Sequence, residues 1–358
     1  MEGCADSRDW TGSYDKGKDD MLAGLDVSSQ CPPEATRRIY IALPTYERHE
    51  NEVLSSAMMR PVPPNDPRYF FVTVPTKGCS LLAMAFNSQL GKCLNDGTFD
   101  YWLLNHGDVA PDNRVYYAHV MVEEMIAHDL DVLSAVVALK DDRGLTSTAV
   151  GARSNMWTMR RRISQHELSL LPETFTIDDC MEKLDWSRDH PLMNMFATGD
   201  PREPCLMINT GMMMLRLTKG EGADKVRQAW PYAFPGFVIL DRVGWVHHDG
   251  SGTLAAHDRR RPSTWGHYRI DPDRAMSKPG RMNVQCVPED WNFSLWCARE
   301  ELRVGATTKI ITDHWGFSKT TCDRNNPRGE EKFDTAYFDC EARHTPETGD
   351  EGGMVASM

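Results

Sequence analysis

The chain has 358 residues, 41% of them hydrophobic and 26% charged, enough to bury a sizeable core in one large or two small domains. A formal net charge of −12 argues against a dedicated nucleic-acid binder, and no run of about 18 apolar residues is present to span a membrane. Ten cysteines occur without one Cys-x-x-Cys pair, which speaks against zinc ribbons and a disulfide framework, so a cytoplasmic protein is expected.

Residues 1–36 are polar, poor in branched apolar side chains and closed by Cys31-Pro32-Pro33, the composition of a disordered tail. No apolar leader segment occurs in them. Ile39-Tyr40-Ile41-Ala42-Leu43 is a near-continuous apolar strand, as expected at the centre of a sheet covered on both faces, and it ends at Pro44-Thr45-Tyr46-Glu47. A second strand, Tyr69 to Val74, leads through Pro75-Thr76-Lys77-Gly78 into a helix from about Ser80 to Asn95. Leu82, Phe86, Leu90 and Cys93 form its apolar stripe, with Ser80 as N-cap.

Tyr101 to Leu104 form a short strand rich in aromatics that stops at His106-Gly107-Asp108 and is followed by Pro111-Asp112, a helix start. Strand side chains alternate, so His106 and Asp108 would face one side while Gly107 lets a ligand approach the backbone. That is a divalent-metal clip. In the competing reading Asp108 caps a helix beginning near Pro111. Val115, Ala118, Val122 and Met125 then recur at helical spacing, and Val132 to Leu139 form another strand. This alternation is the pattern of an open α/β sheet, in which ligands bind beyond the carboxyl ends of the strands. Thr45, Glu47, Lys77, His106 and Asp108 would gather there.

Lys140 to Ala149 is polar and turn-rich, either a site loop or a plain surface turn. Met156 to Pro204, with many charges and prolines, reads as an irregular or helical insertion covering the site. Cys205 to Leu215 is a strand broken at Asn209-Thr210-Gly211; its methionines are core filling, and Gly211 could admit a ligand to the backbone. His247, His248, His257 and His267 have no metal-finger spacing and read as loop residues. Glu289-Asp290 open an amphipathic helix that turns Phe293, Trp296 and Cys297 to the core. Acids in a first turn favour the helix dipole, and a general base would sit there equally well. Lys309 to Gly316 is a short strand holding His314, and residues 341–358 form a second polar tail.

Taken together, from about residue 38 to 317, these features resemble the metal-dependent GT-A fold glycosyltransferases, distantly the family-2-like members with an Ala-Leu-Pro-Thr-Tyr-Glu first strand. The resemblance implies a single main domain over residues 37–340 with a mostly parallel central sheet flanked by helices and irregular insertions. Its nucleotide- and metal-binding half would be 37–150 and its acceptor-side half 205–317. It implies a nucleotide-sugar donor, with UDP-sugars expected, bound by Pro44, Thr45, Tyr46, Glu47, Lys77, Asn87, Asn209, Thr210 and Gly211. His106-Gly107-Asp108 stand at the family's Asp-x-Asp position, and His314 matches a late histidine of the metal shell. Glu289 and Asp290 match the acidic pair facing the acceptor, with Asp290 as general base. Because His106 replaces the first acid, the cofactor tilts to Mn²⁺ over Mg²⁺: imidazole suits the softer ion better.

Two other classes stay open. A nucleotidyltransferase would usually carry a Gly-rich phosphate loop after the first strand, and Pro44-Thr45-Tyr46-Glu47 has no glycine; a sugar-binding protein with a decayed site would transfer nothing. The acceptor is a hydroxylated glycan or small molecule. DNA is the alternative, through the basic triplets Arg160 to Arg162 and Arg259 to Arg261.

Overall fold

The computed structural model describes residues 35–45, 60–77, 82–141, 143–153, 160–186, 201–218, 222, 224–226, 268–270, 284–286, 289–315 and 319–329. Outside them lie residues 1–34 and 341–358 of the expected tails, Tyr46 and Glu47, Gly78 and Ser80, the four loop histidines and Arg259 to Arg261.

The fold is built on β1 (Arg37–Thr45), which sends alternate side chains into two cores: Ile39, Ile41 and Leu43 into one, Tyr40 and Ala42 into the other. On one side β2 (Tyr69–Lys77) pairs with it in parallel, from Arg37↔Tyr69 to Thr45↔Lys77. On the other side β3 (Tyr101–Asn105) also runs parallel, and all five of its residues are buried. Beyond β3 the sheet continues through β10 (Met212–Arg216), β5 (Val132–Ala135), β13 (Val304–Thr307) and β8 (Thr174–Phe175), giving the order β2-β1-β3-β10-β5-β13-β8. Only β10 and β8 run against the other five. The result is an α/β protein with a mostly parallel sheet, in which strands from both ends of the chain interleave.

Helices cover both faces, which is why these strands read as unbroken apolar runs. Helix α1 (Leu82–Asp96) places Ala85, Phe86, Leu90 and Cys93 in the core that holds Tyr40, Trp102 and Leu104. Helix α2 (Tyr117–Ala127) packs Tyr117, Ala118, Met121, Val122 and Met125 against the opposite face. Two further helices, α3 (Ile177–Lys183) and α4 (Glu289–Arg299), add Cys180, Phe293 and Cys297 to the α1 side. Cys93, Cys180, Cys205, Cys297 and Cys322 are buried free thiols, small core residues as their apolar settings suggest. Met212, Met213 and Met214 are all fully buried in β10, so they do fill the core.

Several local expectations change. No helix starts near Pro111. Val109–Pro111 is instead a strand, β4, which pairs with β14 (Thr312–Trp315), itself paired with β15 (Lys319–Cys322). Proline is tolerated because β4 is the edge of that small sheet. Helix α2 begins only at Tyr117, with no side-chain cap at Tyr116, so Asp108 caps no helix. The strand expected over Val132 to Leu139 leaves the central sheet after Ala135, because Ala138 pairs across to Thr146. Only the first part of Lys140 to Ala149 is a turn: β6 (Leu145–Ala152) begins at Leu145, with Thr146 and Thr148 buried.

The described parts of residues 156–204 are also more regular than expected. Strand β7 (Arg160–Ser164) pairs with β6, and β6 pairs with β9 (Pro204–Met207), making an antiparallel three-stranded sheet, while β11 (Tyr268–Ile270) and β12 (Val284–Cys286) pair antiparallel with each other. A 3₁₀ turn at Glu167–Leu170 and α3 follow β7. At the start of α3 the Thr176 N–H and hydroxyl both donate to the Asp179 carboxylate, 2.8 and 3.1 Å away, which holds the first turn.

Candidate active site

In an open sheet, a crevice forms where neighbouring parallel strands send their connections to opposite sides. Here that point lies between β1 and β3: β1 is followed by β2 on one side, while β3 is followed by β5 on the other. The carboxyl ends there are Pro44-Thr45 and Asn105, with His106-Gly107-Asp108 beyond. Three other segments pin the triplet's backbone. The Gly107 N–H donates to Pro44 O (2.9 Å), the His106 N–H to Gly211 O (2.7 Å), and Asp108 O accepts from the Trp315 N–H (2.8 Å).

The last of these bonds explains how a histidine some 200 residues away in sequence reaches the triplet. In the β4–β14 register His314 stands opposite Val109, the residue after Asp108. Its Nε2 lies 3.7 Å from Asp108 Oδ2, and its Nδ1 is 2.7 Å from Ala138 O. A carbonyl oxygen only accepts, so that contact places a proton on Nδ1 and turns the other ring nitrogen, Nε2, to the carboxylate. A backbone carbonyl orienting one ring nitrogen is the usual support of a metal-ligating histidine.

Lys140 completes the cluster. Its Nζ is 2.6 Å from Asp108 Oδ2, with both side chains more than a third exposed. Burial pushes the Asp108 carboxyl up, but His314, His106 and Lys140 together outweigh that and hold it well below the usual carboxylate range. Asp108 is therefore an anion under ordinary conditions. His106 is different: burial lowers its pKa to about 4, so it is neutral, and its ring packs on Phe86 of α1 at 4.9 Å.

Asp108 and His314 could together hold a divalent ion, since an anionic oxygen and an imidazole nitrogen face each other 3.7 Å apart. His106 fits less well. Its buried Nε2 has no hydrogen-bond partner, while its Nδ1 lies 3.9 Å from Asp108 Oδ1. A neutral ring avoids burying an unpaired N–H, so the proton belongs on Nδ1, the nitrogen nearer Asp108 but beyond hydrogen-bond distance of it, and that nitrogen is not a ligand. As placed, no group of three or more His, Cys, Asp or Glu side chains among the described residues is arranged to hold an ion.

The other expected site residues distribute as follows. Pro44 is buried, and Thr45 and Lys77 are register partners at the ends of β1 and β2. Asn87, buried on α1, follows the Phe86 that touches His106. Asn209 is committed to its own turn: Nδ2 donates to Ala135 O and Oδ1 accepts the Gly211 N–H, both at 2.9 Å. Thr210 is buried beside it. The space beside Gly211 is filled by protein, since a β-carbon there would meet Asn209 Oδ1 at 3.0 Å and Val109 Cγ2 at 3.1 Å. Gly211 thus serves close packing of the turn against β4, not the approach of a ligand to the backbone.

Glu289 and Asp290 open α4 as expected. The Ser294 hydroxyl donates to Asp290 O (2.8 Å) and accepts the Ile208 N–H (3.0 Å), which fixes the first turn of α4 to the residue preceding Asn209. The Asp290 carboxylate itself accepts the Trp291 N–H at 2.8 Å. Sequence reasoning missed Lys140 as a site residue. It was the first residue of the candidate loop, but one lysine after a strand carries no pattern, and its partner lies 32 positions away.

No protein-family model matches the chain, and no curated protein does. Among solved structures the chain is similar to the crystal structure of A197 from STIV, with 11% identity and a TM-score of 0.39, over 83% of this chain and 99% of that one.

Proposed function

We propose that this protein is a glycosyltransferase that moves a sugar from a nucleotide-sugar donor, UDP-sugars first among them, to an acceptor hydroxyl. The observation that carries the reading is the convergence of Asp108, His314 and Lys140 at the switch point of a mostly parallel sheet, where α/β proteins bind nucleotides. Asp108 and His314 would hold Mn²⁺ or Mg²⁺. When bound, such an ion supplies Lewis-acid stabilisation of the negative charge on a leaving nucleoside diphosphate.

The chain's own groups divide the remaining work. Neutral His106 packs its ring on Phe86 beside Asp108, and the carboxylate itself is held by Lys140 at 2.6 Å. The Ala138 carbonyl holds the His314 ring, and Thr312 Oγ1 donates to Val136 O (2.9 Å), fastening β14 to the chain leaving β5. Asp290 removes the proton of the acceptor hydroxyl as that oxygen attacks the anomeric carbon.

The acceptor favoured is a glycan or small hydroxylated molecule. Of the first basic triplet, Arg161 is buried and paired with Glu167, and Arg162 lies over the Trp291 ring at 4.9 Å. Arg161 therefore has no free charge for a DNA phosphate. The test is thermal stabilisation by UDP-, GDP- and other nucleotide sugars with and without Mn²⁺. A donor at 100 times its dissociation constant should add about 2.7 kcal/mol. Stabilisation by at least one donor that depends on the metal is expected; a flat response to every donor would overturn the reading.

A further inference from the structure

We propose that Lys140 is an exchangeable cation of this site. Its ammonium neutralises Asp108 when no divalent ion is bound, and transfers to a phosphate oxygen of the donor when such an ion takes the carboxylate. This rests on the nucleotide-sugar reading above and assigns a specific residue to the donor diphosphate.

The geometry is unlike that of a structural ion pair. Side-chain exposures of 39% for Lys140 and 36% for Asp108 make the contact worth little to folding. Yet the backbone beneath Lys140 is firmly held: the Leu139 N–H donates to Leu145 O at 2.9 Å, and Ala138 bridges to Thr146. A fixed base and an exposed, flexible four-carbon stem let the ammonium change partners without moving the chain. Lysine suits that exchange because it binds as a point charge with rotatable donors, whereas arginine is fitted to a fixed fork.

The oxygen Lys140 holds is also the contested one. Asp108 Oδ2 lies 2.6 Å from Lys140 Nζ and 3.7 Å from His314 Nε2. A divalent ion on Asp108 and His314 would compete with the ammonium for that oxygen, and like-charge repulsion over about 4–5 Å lowers ion affinity on the order of tenfold even at the dielectric constant of water. The displaced ammonium then needs a new anion, and the diphosphate is the anion this site is read to hold.

The experiment compares wild type with Lys140→Met, which keeps the stem and removes the charge, and with Lys140→Arg, which keeps the charge. Mn²⁺ binding to the ligand-free protein is followed by the spin-resonance signal of free Mn²⁺, and UDP binding at saturating Mn²⁺ by calorimetry. Lys140→Met should bind Mn²⁺ about tenfold more tightly and UDP about tenfold more weakly, the loss of one exposed charge-assisted hydrogen bond. Lys140→Arg should leave Mn²⁺ affinity near that of wild type. Circular dichroism should show all three folded, given the exposure of the pair. If Lys140→Met leaves Mn²⁺ affinity unchanged or lower, or leaves UDP affinity unchanged, the exchange proposal is wrong while the nucleotide-sugar reading stands. Wild type that binds no UDP at any Mn²⁺ concentration overturns both, a different and separately visible result.

Discussion

Replacing Gly144 by alanine tests how the loop carrying Lys140 is held. Gly144 has φ +71°, and a β-carbon there would fall 1.9 Å from Arg328 O and 2.8 Å from Gly329 Cα, both backbone atoms. Gly329, at φ +85°, meets the loop in the same way from the other side. The two glycines let the segment after β15 lie directly on the turn between Lys140 and β6. That segment is fastened by the Arg328 N–H on Gln165 Oε1 (3.1 Å), by Gly329 O on His166 Nε2 (3.1 Å), and by Arg324, which donates to Leu171 O (2.9 Å) and Thr308 Oγ1 (3.1 Å).

Gly144→Ala carries about 1 kcal/mol for the left-handed backbone. Because backbone cannot yield by 1 Å or more, the segment must also lift away and lose several hydrogen bonds worth about 1 kcal/mol each. We expect roughly 3–5 kcal/mol of destabilisation by urea titration, with earlier proteolysis within residues 323–329. Gly97→Ala is the internal control. Gly97 has φ +73°, but the nearest atom to an added β-carbon is Leu94 O at 4.0 Å, so only the backbone cost of about 1 kcal/mol should appear. Equal destabilisation by the two substitutions would refute the argument, since the packing against residues 328 and 329 would then count for nothing.

Asp108→Asn should remove the Mn²⁺ dependence of UDP binding and most transfer activity, while lowering stability by no more than about 1 kcal/mol because the ion pair is exposed; metal-dependent turnover at the wild-type level would rule out the Asp108 assignment. Asp290→Asn should reduce turnover by roughly 10²- to 10⁴-fold with donor affinity kept, and a parallel loss of donor affinity in calorimetry would move Asp290 to the nucleotide. Burial raises the Glu124 carboxyl, but the Lys309 and Thr174 contacts outweigh it and leave its pKa below the usual value. A depressed folded-state pKa stabilises the fold above the ordinary glutamate value of about 4.3, and that contribution is lost as pH falls through the lower folded value. Glu124→Gln should therefore flatten the acid side of a stability-versus-pH curve measured between about pH 5 and pH 2, and an unchanged acid slope would show that Glu124 does not carry it.

What the sequence determined by itself was local. Ile39 to Leu43 and Tyr101 to Leu104 announce buried strands because a strand covered on both faces has no polar side to interrupt its pattern, and β10 and the amphipathic face of α4 were legible for related reasons of periodicity. The placing of His106 and Asp108 together at a strand end followed from chain proximity alone. Pairing across long separations was decided only in the folded chain. Whether Val109 to Pro111 formed a helix start or an edge strand depended on β14, some 200 residues later, and that same pairing set His314 beside Asp108. Lys140 faces Asp108 because β5 ends early and the chain turns back as β6, a choice made by the Ala138–Thr146 bridge. Gly211 shows the limit most plainly: a glycine in a broken strand is compatible with an approaching ligand or with close packing, and only the neighbours that fill its space, Asn209 and Val109, decide between them.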